Sequence, residues 1–369
     1  MSCFEDAQMK KRKVLIISTV GLIYDGITNV ILSCLKAMDR SNLEIYIAAT
    51  IESKIAIRRQ FEDMGCKIVD LPNRRTHTLE YFFSLASFIR KQKINVVHAH
   101  GNSGTLAVEM VAAWIGGAKK RIAHSHNTKC DQKNADKLLR PIFNIFYTDA
   151  VACGRDAGIW LFKNRKFTII NNGRDIKLFA YNPDMRNEYR KKLGLENEIA
   201  VGHVGGFFEQ KNHAFLLEIF REIKREIPNS KLYLIGDGPL KEKIKQSADG
   251  KDVYFVGTVD NVSDYLNAMD CMLLPSLFEG LPLVALEWQI NGLPVLISDT
   301  VTRECMISDN VEFMSLNTDA KVWAHKILQL TMNNNRKSSS QNAQHMASEK
   351  GFDIRTSAEI LRKMYLEIR

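Results

Sequence analysis

Short, largely apolar runs recur along this chain, and longer stretches with helical periodicity separate them. The first set comprises Val14–Ser18, Leu43–Ala49, Lys67–Leu71, Asn95–His100, Arg121–His126, Ala150–Cys153 and Phe167–Asn171. Helical patterns such as Gly26–Leu35, Leu79–Arg90 and Thr105–Ile115 stand between them. Strands that are apolar on both sides must be covered on both faces, which is the condition of a parallel sheet flanked by helices. The pattern then restarts. Tyr181-Asn-Pro-Asp184 is turn-like and opens a polar helix through Lys192, and new strands follow at Ile199–Gly205, Lys231–Ile235, Val253–Val256, Cys271–Leu274 and Pro294–Ile297, with a last short one at Glu312–Leu316. The chain has 369 residues, too many for one typical domain and suited to two of roughly 150–200. The expectation is an α/β protein of two Rossmann-like halves joined near residues 172–185. Asp353–Arg369 reads as an amphipathic helix, and the very polar Asn333–Gln344 as a loop or helix boundary. In such sheets ligands bind beyond the carboxyl ends of the strands.

Composition narrows the class. The basic segment Met9–Lys13 precedes an apolar run only one strand long, so no signal peptide is expected. Ala107–Ala118 is interrupted by Glu109 and falls short of the ~20 residues that span a bilayer. The seven cysteines (Cys3, Cys34, Cys66, Cys130, Cys153, Cys271 and Cys305) are odd in number and never spaced Cys-x-x-Cys. That pattern fits a reducing cytosol better than a disulfide framework or a zinc ribbon. An excess of 51 basic over 42 acidic residues leaves a formal charge of +9. The clusters Lys10–Lys13, Arg58-Arg59, Arg74-Arg75, Lys119–Arg121 and Lys163–Lys166 carry part of it. No RNA or DNA module surrounds them, so no nucleic-acid partner is expected. A solvated basic surface or peripheral contact with an anionic membrane accounts for them.

The stretch Ser276-Leu-Phe-Glu279-Gly280-Leu281-Pro282-Leu283-Val-Ala-Leu-Glu287 follows the apolar run Cys271–Pro275 and precedes a short helix that stops at Asn291-Gly292. Pro282 suits a first helical turn, and Gly280 lets a ligand approach the backbone closely. First-turn amides attract an anion. Glu279 and Glu287 frame that position, and a carboxylate accepts two sugar hydroxyls. The stretch reads as a site for a phosphate group that carries a sugar.

With Gly-Leu-Pro-Leu between them, Glu279 and Glu287 resemble the Glu-x7-Glu signature of family 4 retaining glycosyltransferases. The resemblance implies the GT-B fold: two Rossmann-like domains with parallel sheets facing across a cleft, and a C-terminal helix returning to the first. It implies domains at 1–175 (acceptor), 176–350 (nucleotide sugar) and 351–369 (returning helix). In the family the first glutamate binds the donor sugar and the second the ribose, which assigns Glu279 and Glu287. A strand, a glycine-rich turn and a helix start in Val201-Gly-His-Val-Gly205-Gly206-Phe-Phe-Glu-Gln-Lys211-Asn-His213 match the diphosphate loop. Lys211 fits the family lysine, but Gly206 stands where the family has an arginine. Losing such a charge typically costs ~2.7–4 kcal/mol of transition-state stabilisation, and Arg174 and Arg303 are candidate substitutes. The amides of Gly280, Leu281 and Leu283 would help hold the phosphate.

Weaker signals follow the same order. Gly26 lies in the first strand-to-helix loop, where relatives commonly have two glycines near the phosphates. Gly236-Asp-Gly238-Pro matches a turn bordering the nucleotide, and Val259, after Gly257, matches a base contact. Two His-x-His pairs, His98/His100 and His124/His126, end successive strands with their rings on one side. Zinc is conceivable from ligand type alone, yet no acidic or cysteine ligand accompanies them. The resemblance instead makes His126 a cleft histidine near the reacting carbon. No Asp-x-Asp occurs, so chemistry without a metal ion or other cofactor is expected.

Within the family, the Gln-Lys-Asn-His form resembles bacterial capsule and exopolysaccharide transferases. The implied activity is transfer of a sugar from a nucleotide diphosphate, UDP by family habit, to a glycan or lipid-linked acceptor. The location would be the cytosol or the inner face of the membrane. A non-catalytic sugar-nucleotide binder or partner subunit is the alternative that Gly206 keeps open, and a sugar-nucleotide epimerase is a further one.

Overall fold

The computed structural model describes residues 11–23, 25–248 and 250–367. Cys3, Met9 and Lys10 lie outside the described residues. The chain divides into two compact units, one of residues 1–173 with 354–369 and the other Arg174–Asp353.

The first unit is built on seven parallel strands: β1 (Arg12–Ser18), β2 (Leu43–Ala49), β3 (Lys67–Asp70), β4 (Val96–His100), β5 (Lys120–Ser125), β6 (Asp149–Ala152) and β7 (Thr168–Ile169). Their order is β3-β2-β1-β4-β5-β6-β7. The pleat sends alternate residues of β1 to opposite faces. Val14 and Ile16 join a core with Ile31, Leu35 and Val96. Leu15 and Ile17 join another with Tyr81, Leu85, Val97 and Met110. Both faces are therefore covered, as apolar strands demand. The terminal helix Ile354–Leu366 covers the first face through Ile354, Ala358, Leu361 and Tyr365, one helical side at i, i+4, i+7 and i+11.

The second unit has six strands: β8 (Ile199–Val204), β9 (Ser230–Ile235), β10 (Val253–Gly257), β11 (Cys271–Leu274), β12 (Val295–Ser298) and β13 (Val311–Met314). Their order is β10-β9-β8-β11-β12-β13, again all parallel. This is the doubly wound Rossmann order, in which connections turn one way from β8 and the other way from β11. The crevice between the ends of β8 and β11 is the topological switch point. The corresponding point in the first sheet lies between β1 and β4.

Three local expectations shift. Pro282 is the N-cap and Leu283 opens the helix Leu283–Ile290. The last strand begins one residue earlier, at Val311, and ends at Met314. Most of the polar Asn333–Gln344 is helical, within Arg336–Glu349. Asn335 caps that helix by accepting from the Ser338 amide, and only the small Ser340, Ala343 and Ala347 are buried. A face of small residues carries too little apolar signal for its periodicity to show in sequence.

Candidate functional site

The loops that leave β8 and β11 meet at the switch point of the second sheet. The β8 loop ends in a single 3-10 turn, Glu209–Lys211, and Asn212 then takes a left-handed conformation (φ 52°) to enter the helix His213–Glu226. That turn aims Lys211 at the β11 loop, where its ammonium lies 2.5 Å from a Glu279 carboxylate oxygen. Ser276 Oγ donates to the same oxygen at 2.9 Å, and Gln210 Nε2 donates to the other at 3.0 Å. The Leu277 amide donates to the Gln210 carbonyl, and Gln210 Nε2 also donates to the Phe278 carbonyl. Three residues from two loops thus fix one carboxylate. Sequence spacing pointed to Lys211 and Glu279 but missed Gln210 and Ser276, whose polar ends carry no signature of their own.

Glycines in this region serve unequal needs. A Cβ on Gly205 would lie 3.1 Å from the Lys211 stem. Gly238 allows the β9 loop to lie against the Phe207 backbone, where a Cβ would come within 2.7 Å. The two loops are tied by Phe207 N–H to Asp237 O and Leu240 N–H to Phe207 O. A Cβ on Gly206 would meet the Phe208 ring at 2.7 Å and the Asp237 carbonyl oxygen at 3.3 Å, so the Phe208 ring covers the position where the family has its arginine. Gly280, in contrast, is exposed, with nothing within 4 Å of an added Cβ. The fold leaves room there for something to approach the backbone. Leu281 and Leu283 are half-buried, and the amides at the start of Leu283–Ile290 lack intrahelical acceptors as at any helix start. Val259 is half-buried beyond β10. Gly26 opens the helix Gly26–Ala37 of the first unit behind an Asp25 cap on Thr28 N–H, with open space around it.

Glu287 projects from the Leu283–Ile290 helix and pairs with Arg174 at 2.8 Å, both side chains about nine-tenths covered. Burial pushes the Glu287 carboxyl up and the Arg174 guanidinium down, and each charge opposes the other's shift. Arg174 therefore serves Glu287, and Arg303 stacks on the Phe313 ring at 4.7 Å.

In the first unit the two His-x-His pairs come together as a ladder. His98 Nε2 bonds His124 Nδ1 at 3.1 Å, and His100 Nδ1 bonds His126 Nε2 at 2.7 Å. The rungs stack, with ring centroids 4.1 and 4.2 Å apart along β4 and from His124 to His126. Tyr365 of the terminal helix closes one end, its hydroxyl 2.6 Å from His98 Nδ1. Burial is the main cause that pushes His98 and His126 down to about 3 and His100 and His124 well below the ordinary value, so all four are neutral. Ligand nitrogens of His98, His100 and His124 lie within 4.8 Å of one another. The rings bond each other in pairs, His98 with His124 and His100 with His126. His126 keeps Nδ1 unpartnered and buried. Beyond the ends of β1, β4 and β5 opens a polar cavity of about 660 Å³, lined by Thr19, Arg75, Asn102, Ser103, Lys129 and Gln132 among others.

Much of the basic charge expected on the surface is engaged internally. Arg58 pairs with Asp70, Arg74 with the buried Glu109, and Lys120 with Asp149, while Arg121 donates to the Phe146 and Ala118 carbonyls. Among the described residues no helix is long and apolar enough to cross a membrane.

Comparison with known proteins bears on the family and the fold. Residues 198–333 match the family described as glycosyl transferases group 1. The putative glycosyltransferase EpsF of Bacillus subtilis is 30% identical over 326 residues, covering 83% of this chain and 85% of that protein. An Escherichia coli UDP-Gal:alpha-D-GlcNAc-diphosphoundecaprenol alpha-1,3-galactosyltransferase is 25% identical over 333 residues, covering 85% of this chain and 84% of that one. Among solved structures, Anabaena HepE in complex with UDP-glucose superposes with a TM-score of 0.76 at 18% identity, covering 95% of this chain and 98% of that one. A Rickettsia africae glycosyltransferase gives 0.77 at 13% identity, covering 97% and 98%. At these identities the structural likeness speaks for the fold.

Proposed function

The chain belongs to the group 1 glycosyltransferases, the family 4 enzymes of GT-B fold that serve polysaccharide assembly, and from that premise we propose that it moves a sugar from a UDP donor to a lipid-linked glycan with retention of configuration and without a metal ion. The observation that carries this reading is the carboxylate of Glu279 held by Lys211, Gln210 and Ser276 at the switch point of the second sheet. In the bound state Lys211 turns its charge to the diphosphate, and Glu279 accepts from the sugar hydroxyls. Amides near Gly280, Leu281 and Leu283 take the phosphate at the helix start. Glu287 accepts from the ribose, steadied by Arg174.

The UDP assignment draws on what the relatives bind: HepE is solved with UDP-glucose, and the Escherichia coli relative is named for UDP-galactose and a diphosphoundecaprenol acceptor. Metal independence rests on the lysine and helix-start solution and on the absence of an Asp-x-Asp sequence. His126 lends its free Nδ1 to the reacting sugar, and the 660 Å³ cavity of the first unit takes the acceptor.

The test is thermal stability with UDP, GDP, ADP and their sugar conjugates, all in EDTA. A ligand at ~100 times its dissociation constant adds ~2.7 kcal/mol to native stability. Stabilisation by the uridine series alone, with the product anomer read by proton NMR matching the donor's, is the expected result. A shift without any turnover would favour a sugar-nucleotide binder, the reading that Gly206 under the Phe208 ring supports. A strict magnesium or manganese requirement would remove the metal-free mechanism.

A further inference from the structure

Behind the Lys211 loop lies a knot of buried polar groups that the proposed transfer does not use. His203 is fully buried in β8. Its Nδ1 lies 2.8 Å from the Leu273 carbonyl oxygen of β11, and a carbonyl only accepts, so Nδ1 carries the proton. Burial, the neighbouring His213 ring and the Lys211 ammonium hold the ring well below the ordinary histidine value, so it is neutral. Nε2 is then a bare acceptor, and it is buried without a partner. Its surroundings are aromatic. His213 packs edge-on with ring centroids 4.9 Å apart, Trp288 does so at 6.3 Å, and Phe207 stacks on His213. A purely apolar side chain would suit that company and leave no orphaned acceptor. The orphan therefore points to a donor that arrives with a change of state.

Lys211 is the donor within reach. A Cβ on Gly205 would lie 2.9 Å from His203 Nε2 and 3.1 Å from Lys211 Cε, so the ring nitrogen and the end of the lysine stem flank one point. Gly205 leaves no side chain to stand between them. The ammonium has three N–H groups on a flexible stem. Among the described residues the only acceptor it meets is the Glu279 carboxylate.

We propose that Lys211 works in two positions: parked on Glu279 while the site is empty, and turned onto the phosphates of an entering nucleotide diphosphate with one N–H donated to His203 Nε2. The first position neutralises a carboxylate that has no sugar to hold. The second fixes the ammonium against the diphosphate and frees a Glu279 oxygen for a sugar hydroxyl. His203 is thus a positioning residue, which touches no substrate and aims the cation that does. The inference rests on the donor site proposed above. It is read on UDP binding alone, which needs neither acceptor nor turnover, so the two fail separately.

The experiment is nitrogen-15 NMR of the full chain labelled at histidine, recorded in EDTA before and after saturating UDP, with His203 assigned by the resonances lost in His203→Asn. In the free protein its Nε2 should resonate as a bare acceptor. UDP should move that resonance upfield, as an accepted hydrogen bond does, and should leave it unmoved in Lys211→Met. His203→Asn keeps an N–H near the Nδ1 position and has no acceptor near Nε2. By calorimetry it should weaken UDP binding roughly 10- to 100-fold, the worth of a hydrogen bond to a charged group. His203→Gln, whose amide oxygen reaches the Nε2 position, should recover part of that loss. An Nε2 already hydrogen-bonded before UDP and unchanged after it would mean a trapped water shared with the buried, unpartnered Trp288 Nε1, and would overturn the inference. UDP that stabilises the fold while Nε2 stays bare also overturns it and leaves the transfer reading standing. So does an upfield move that persists in Lys211→Met. If no nucleotide stabilises the fold, the donor reading itself has failed and the inference falls with it.

Discussion

Under the proposed function Glu287 has two jobs, which mutation separates. It is one half of a buried ion pair with Arg174, and under the proposed function it also holds the ribose. Removing one partner of a buried pair leaves the other charge stranded, at a cost of about 3–5 kcal/mol. Glu287→Ala should therefore lower both stability and the UDP-induced shift, whereas Glu287→Leu with Arg174→Met should regain much of the stability and none of the shift. Urea unfolding with and without UDP reads both. Gly206 poses the opposite question, whether a charge can be restored. Gly206→Arg alone must displace the Phe208 ring, so the useful variant is Gly206→Arg with Phe208→Ala. If the diphosphate lacks a positive group there, kcat should rise by about 100- to 1,000-fold, the value of one preorganised electrostatic donor. A fall in kcat would show that Lys211 and the helix-start amides already suffice.

At the scale of elements, the histidine ladder links β4, β5 and the terminal helix through groups that stay neutral in the fold. Unfolded, each histidine titrates near 6.5. Between that value and the depressed folded values, about 3 for His98 and His126, the unfolded chain binds more protons than the native one. Stability must then fall as pH drops below about 6.5, by ~1.4 kcal/mol per pH unit for each such histidine, and the effect vanishes above it. His203 and His213 of the second unit, the latter pushed down to about 4, titrate in the same sense. Urea midpoints from about pH 7 to about pH 5 should show this slope, and His98→Gln/His124→Gln, which removes two of the six lowered histidines, should reduce it by about a third. Sequence could place the pairs on successive strands, because alternation along a strand and the adjacency of β4 and β5 are local rules. It could not supply Tyr365, 267 residues from His98 in the chain. The same division runs through the rest. The limits of β2 and β11 were readable because apolar runs, broken only by Glu44 in β2 and bounded by polar or turn residues, mark buried strands. The two-residue β7 and the Arg336–Glu349 helix were blurred, one half-exposed at an edge and the other buried only by small side chains.

Across the whole molecule, the second unit is an insertion. Its ends meet: the Arg174 amide donates to the Phe352 carbonyl at 2.7 Å, and Arg174 bridges to Asp353. It holds β8 to β13, Lys211, Glu279, Glu287 and Arg174 together, so residues 174–353 made alone should fold cooperatively and keep the uridine-dependent shift in calorimetry. Loss of folding by that piece would mean that the two units share their stability. The first unit is not self-sufficient in the same way, because it receives its last helix only after the insertion, and deleting residues 354–369 should expose Ile31, Leu35 and Val96 and leave His98 without its tyrosine. That order matters during biogenesis. At ~5–20 residues per second, about 10–40 s of translation separates the first unit's last strand from its closing helix. The N-terminal sheet must wait through that interval with one apolar face covered only in part, by earlier helices such as Gly26–Ala37, while the second unit is made. The unit that starts first is thus the one completed last, and the nascent N-terminal half is the one that would call on a chaperone.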